Sequence, residues 1–86
     1  MKHAGDEALD GLEELLVRIR ELAGLKERKR GVFYRGSSAF LHFHEDPAGM
    51  FADVRTDSDW QRIPVNSRAE QRALVAKIRA ALSGPG

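Results

Sequence analysis

His42 and His44 are separated by one residue in the run Leu41-His-Phe-His-Glu-Asp. In an extended strand that spacing sends both imidazoles to one side, about 6.5–7 Å apart along the backbone. Imidazole and carboxylate together suit zinc, iron or manganese. If the next strand turns back antiparallel, it brings Asp53 alongside, so His42, His44 and Asp53 form a candidate metal triad. His42, Asp53 and Arg55 also make an acid–base set. The plainer alternative is that the two histidines line a partly solvated sheet face and bind nothing.

Other chemistry is thinly represented. The chain has no cysteine, which removes disulfides, thiolate metal sites and thiol nucleophiles together. The serines stand in loops or caps, and none has a nucleophile-elbow context. There is no phosphate-binding loop, no HExxH and no glycine-rich dinucleotide fingerprint. No catalytic residue is assigned and no cofactor is expected. A metal-dependent or acid–base enzyme built on His42 and His44 therefore ranks third among the readings.

The same strands carry a broader surface. Phe40, His42 and His44, then Phe51, Asp53 and Arg55, then Trp60 and Arg62, fall on one side by alternation, joined by Tyr34 or Phe33. An open sheet face normally shows small polar and charged residues. Aromatics mixed with His, Asp and Arg imply that something covers or binds this face. Aromatic-plus-arginine composition is that of a protein interface. Small domains self-associate most often as symmetric dimers, so the leading expectation is a binding or self-associating module, a homodimer or a complex with a protein partner. Nucleic acid is the second. Tyr34, Phe40, Phe51 and Trp60 would stack on bases, and Arg35, Arg55 and Arg62 would meet phosphates, extended by Lys26, Arg28, Lys29 and Arg30. A net charge of only +1 counts against that reading. The basic run also serves simply as a solvated connector at the C-terminal end of a helix. Trp60, for its part, reads first as a packing residue at a strand start.

The elements that must position these residues follow from hydrophobic period. Leu9, Leu12, Leu16, Ile19 and Ala23 recur at threes and fours, predicting a helix over residues 6–23. Acids crowd its first turns, Gly11 weakens its start and Gly24 stops it. From Val32 the period becomes two, predicting strands at 32–35, 39–44, 50–55 and 60–65. Turns at Gly36-Ser-Ser, Asp46-Pro-Ala-Gly and Thr56-Asp-Ser-Asp separate them. Ser67 and Glu70 form an S-x-x-E capping box before a second helix with Leu74, Val75, Ile78 and Leu82 on one stripe, ended by Gly84-Pro85. Ala39, Leu41, Phe43, Met50, Ala52, Val54, Ile63 and Val65 make an apolar sheet face. The expectation is an α+β two-layer sandwich: helix, four-stranded antiparallel meander, helix, with both helices on that face.

The 86 residues fit one domain, 1–86, with loose ends at 1–5 and 84–86. The start lacks the apolar core of a signal peptide, no apolar run reaches membrane-spanning length, and cysteine is absent. A cytoplasmic location and no membrane contact are expected.

Residues 12–56 also resemble YjbR/MmcQ-type small bacterial proteins. Leu22-Ala-Gly-Leu-Lys-Glu matches the helix exit of that pattern, and Val32-Phe-Tyr-Arg-Gly-Ser-Ser-Ala-Phe-Leu its strand–turn–strand. The resemblance covers about half the chain. It implies a frataxin-like fold and, through some members of the family, DNA binding. It carries over no functional residue.

Overall fold

The structure, a computed structural model, describes residues 2–83. In chain order these form β1 (Lys2–His3), α1 (Asp6–Asp10), α2 (Glu13–Arg20), β2 (Lys26–Lys29), β3 (Val32–Arg35), β4 (Ser38–Asp46), β5 (Gly49–Thr56), β6 (Asp59–Pro64) and α3 (Arg68–Ser83). The chain is α+β with an antiparallel sheet. The expected four-strand meander is enlarged: among the described residues the sheet has six strands, ordered β2-β3-β4-β5-β6, with β1 added beside β4.

Both additional strands lack a readable period. β2 is Lys-Glu-Arg-Lys and is almost wholly exposed. It is an edge strand, and charge of this kind on an edge discourages pairing with another chain. β1 has only two residues, too few to show alternation. Its pairing places Lys2 opposite Glu45 and His3 opposite His44.

The first helix is broken in two. Gly11 and Leu12 leave the α-helical ladder, and the Leu12 N–H donates to the Leu9 carbonyl at 2.9 Å. Leu9, Leu12, Leu15, Leu16 and Ile19 all remain buried, so the break preserves the packing face. Two arginines tie these helices to β2 and its turn. Arg20 binds Glu27 and Glu13, and Arg30 binds Asp6, Asp10 and Glu13. The basic segment expected to be a solvated connector is thus partly a structural network.

One hydrophobic core joins these helical leucines to Phe33, Leu41, Phe43, Ala52, Val54 and Val65 of the sheet region and to Leu74 and Ile78 of α3. Phe40 belongs to it as well, which corrects its expected place on the open face. Phe33 pairs with Leu41 but Tyr34 pairs with Ala39, so the extra residue Phe40 sits in a β-bulge. A bulge breaks strict alternation, and Phe40 is buried in the core. At α3 the capping box is formed in both directions: Glu70 N–H donates to Ser67 Oγ, and Ser67 N–H donates to Glu70 Oε1. The expected stop at Gly84-Pro85 lies outside the described residues. No described helix is long and apolar enough to cross a membrane.

Candidate metal centre

The face of the sheet away from the core is organised by register. His42 pairs with Asp53, and Asp53 with Arg62 on the next strand. One pleat along, His44 pairs with Phe51 and Phe51 with Pro64, while Arg55 pairs with Trp60. On the other side of β4, His3 pairs with His44. Three strands therefore deliver three imidazoles and one carboxylate to a single patch.

The imidazoles are in mutual contact. Ring centroids lie 4.7 Å apart for His3 and His44, 4.8 Å for His42 and His44, and 5.5 Å for His3 and His42. One ligating nitrogen from each can be chosen so that all three lie within 4.8 Å of one another. His3 is the exposed member and the other two are half-buried. Trp60 closes one side, its ring 4.9 Å from that of His42, and remains 42% exposed.

Asp53 is the buried charged group of the described residues. Arg62 holds both of its oxygens, Nε to Oδ1 at 2.8 Å and Nη2 to Oδ2 at 3.0 Å. This contact holds the carboxyl below the usual carboxylate range, against the opposing effect of burial. His44 Nε2 lies 3.0 Å from Asp53 Oδ2, at hydrogen-bond distance but out of line for an N–H donor. Among the described residues, His44 Nδ1, His44 Nε2 and His42 Nδ1 are buried with no hydrogen-bond partner. Burial pushes the His42 imidazole below its ordinary value. His44, His3 and Arg62 push the same way, and only Asp53 opposes them. The neutral ring, which is the ligating form, is therefore favoured.

The predicted site residues separate into groups. His42 and His44 are brought together as expected. Asp53, expected as the third ligand, is bound on both oxygens by Arg62, and the third imidazole comes from His3. Arg55 lies 5.9 Å from the Trp60 ring centroid in a cation–π contact. Phe51 is half-buried on the same face, and Phe40 is in the core. Sequence reasoning missed His3 because it stands before any periodic segment. A histidine close to an HxH strand in space, but not in sequence, leaves no local signal.

Three imidazoles on one patch can ligate a divalent transition metal through their ring lone pairs. Zinc–nitrogen bonds of about 2.0–2.1 Å imply nitrogens roughly 3.3 Å apart in a tetrahedron. The nitrogens here lie within 4.8 Å of one another. Such a set leaves one coordination position open.

The fold and the patch together define an α+β protein with a three-histidine sheet face. Comparison with known proteins adds no relative: no family model, no curated protein and no solved structure matches the chain.

Proposed function

We propose that this protein is a binding module for a divalent transition metal, held by His3, His42 and His44 on the open sheet face. The observation that carries this reading is the convergence of three imidazoles, two of which, His42 and His44, keep buried nitrogens with no hydrogen-bond partner among the described residues. An orphaned buried polar atom costs about 1–3 kcal/mol, so three at one spot call for a partner. A metal ion is the partner that takes lone pairs from all three rings at once. Imidazole-only ligation favours copper, nickel and zinc over the hard ions magnesium and calcium.

The same face is less suited to nucleic acid or to a second copy of the chain. Arg62, expected to meet phosphate, is paired with Asp53, and Phe40, expected to stack on a base, is buried. Arg30, in the basic extension, is engaged by three acids. Val17 and Trp60 are the exposed large apolar residues among those described, which supplies little apolar area for self-association. The YjbR/MmcQ resemblance contributes no ligand to this reading.

Thermal unfolding of untagged protein with and without zinc tests it. A ligand that binds only the folded state, at a hundredfold excess over Kd, adds about 2.7 kcal/mol. For a domain of this size that raises the midpoint by roughly 10–20 °C. EDTA should reverse the shift, and His3→Ala, His42→Ala and His44→Ala should each remove most of it. An unchanged midpoint with zinc, copper and nickel alike would rule the proposal out.

A further inference from the structure

We infer that Asp53 is a positioning residue outside the ligand set: it holds His44 by Nε2–H, so that His44 meets the metal through Nδ1. This rests on the metal reading above and specifies which atoms carry it.

Four observations converge. Asp53 Oδ2 is 3.0 Å from His44 Nε2, close enough to accept from Nε2–H once the ring turns into line, and both His44 nitrogens are buried with no hydrogen-bond partner among the described residues in the present orientation. Both Asp53 oxygens are already engaged by Arg62 at 2.8 and 3.0 Å, so the carboxylate has its counter-charge without a metal. To ligate, it would have to loosen a two-point guanidinium contact. The three-imidazole cluster is complete without it. Finally, the backbone register fixes the order Arg62, Asp53, His42 across three strands, with His44 one pleat further on, so this chain of contacts is built on sheet rather than loop.

The chemistry follows from the imidazole ring. A neutral ring carries one N–H and one lone pair. A carboxylate facing Nε2 favours the tautomer with the proton there, which places the lone pair on Nδ1. Ligating histidines in metal sites almost always give their second ring N–H to a carboxylate, a backbone carbonyl or water, which orients the ring and raises its basicity. Here Arg62 orients the carboxylate in turn. The three ligands are then all neutral, and a bound divalent ion keeps its full charge toward whatever fills its open position.

Long-range proton–nitrogen correlation spectra of uniformly ¹⁵N-labelled, untagged full-length chain read the tautomer directly. In the metal-free protein His44 should be the Nε2–H tautomer. Zinc should shift His44 Nδ1 and leave Nε2 protonated. Asp53→Asn should weaken that tautomer preference and reduce zinc affinity about 10–100-fold. The wild-type spectra decide the matter even if this variant folds poorly. If zinc moves no imidazole resonance, the metal reading itself fails. If zinc binds through His44 Nε2 with the proton on Nδ1, or shifts the Asp53 carboxylate carbon as a direct ligand would, the positioning role is overturned and the metal site stands. Unchanged zinc affinity in folded Asp53→Asn overturns it equally.

Discussion

His42 is a half-buried imidazole whose buried Nδ1 meets no partner among the described residues. A side chain selected for stability alone would not be polar there, because the orphaned atom keeps its desolvation cost. Replacing it with an apolar residue of similar size removes that cost and removes a ligand. His42→Leu should therefore leave the metal-free melting midpoint unchanged or higher, while abolishing its rise with zinc. Paired melts of variant and wild type, each with and without zinc, check both halves. His42 and His44 were legible in the sequence because the HxH spacing fixes their side of a strand whatever its neighbours do. The Asp53–Arg62 contact was only half legible. Alternation placed both residues on the face, but pairing Asp53 with a guanidinium instead of a metal depends on β5–β6 register, which single residues do not encode.

The elements that escaped the sequence are those without a hydrophobic period. β1 and β2 are recruited by pairing with a neighbour, a tertiary effect that overrides weak local preference. The bulge that turns Phe40 inward is likewise invisible to strict alternation, and so is the break of the first helix at Gly11. β1 hangs on few contacts: its two ladder pairs, Ala4 N–H to the Phe43 carbonyl at 3.0 Å, Gly5 N–H to Glu45 Oε2 at 2.8 Å, a Lys2–Glu45 ion pair, and the His3 ring against His42 and His44. Such a segment opens at low free energy, and a metal held by His3 would pin it. Hydrogen exchange at the Ala4 amide should be fast in metal-free protein and markedly slower with zinc, with core amides of β4 and β5 changing less. The α1–α2–β2 network makes a separate prediction. Glu27 sits below its ordinary 4.5 chiefly because Arg20 binds it, aided by the Gly31 N–H. A lowered carboxyl favours the folded state fully above that ordinary value, and the contribution is lost as pH falls through the lowered folded value. Glu27→Gln should thus lower stability near neutral pH and flatten its decline below about pH 4.5 in urea titrations across pH.

At the scale of the molecule, one sheet separates two tasks. The helix-covered face carries the core, from Leu9 and Leu16 through Leu41, Phe43 and Val54 to Leu74 and Ile78. The outer face carries the three histidines, Asp53, Arg62 and Trp60. That division was readable from alternation in β4, β5 and β6, because burying one face pins register. The composition of the site was not, because β1 reaches the outer face from a distant part of the chain. X-ray absorption at the zinc edge of the loaded, untagged protein tests the central claim most directly. The account predicts a first shell of nitrogen and oxygen at about 2.0 Å, with outer-shell scattering from three imidazoles that falls to two in His3→Ala. A shell with one imidazole or none, or one that His3→Ala leaves unchanged, would contradict it.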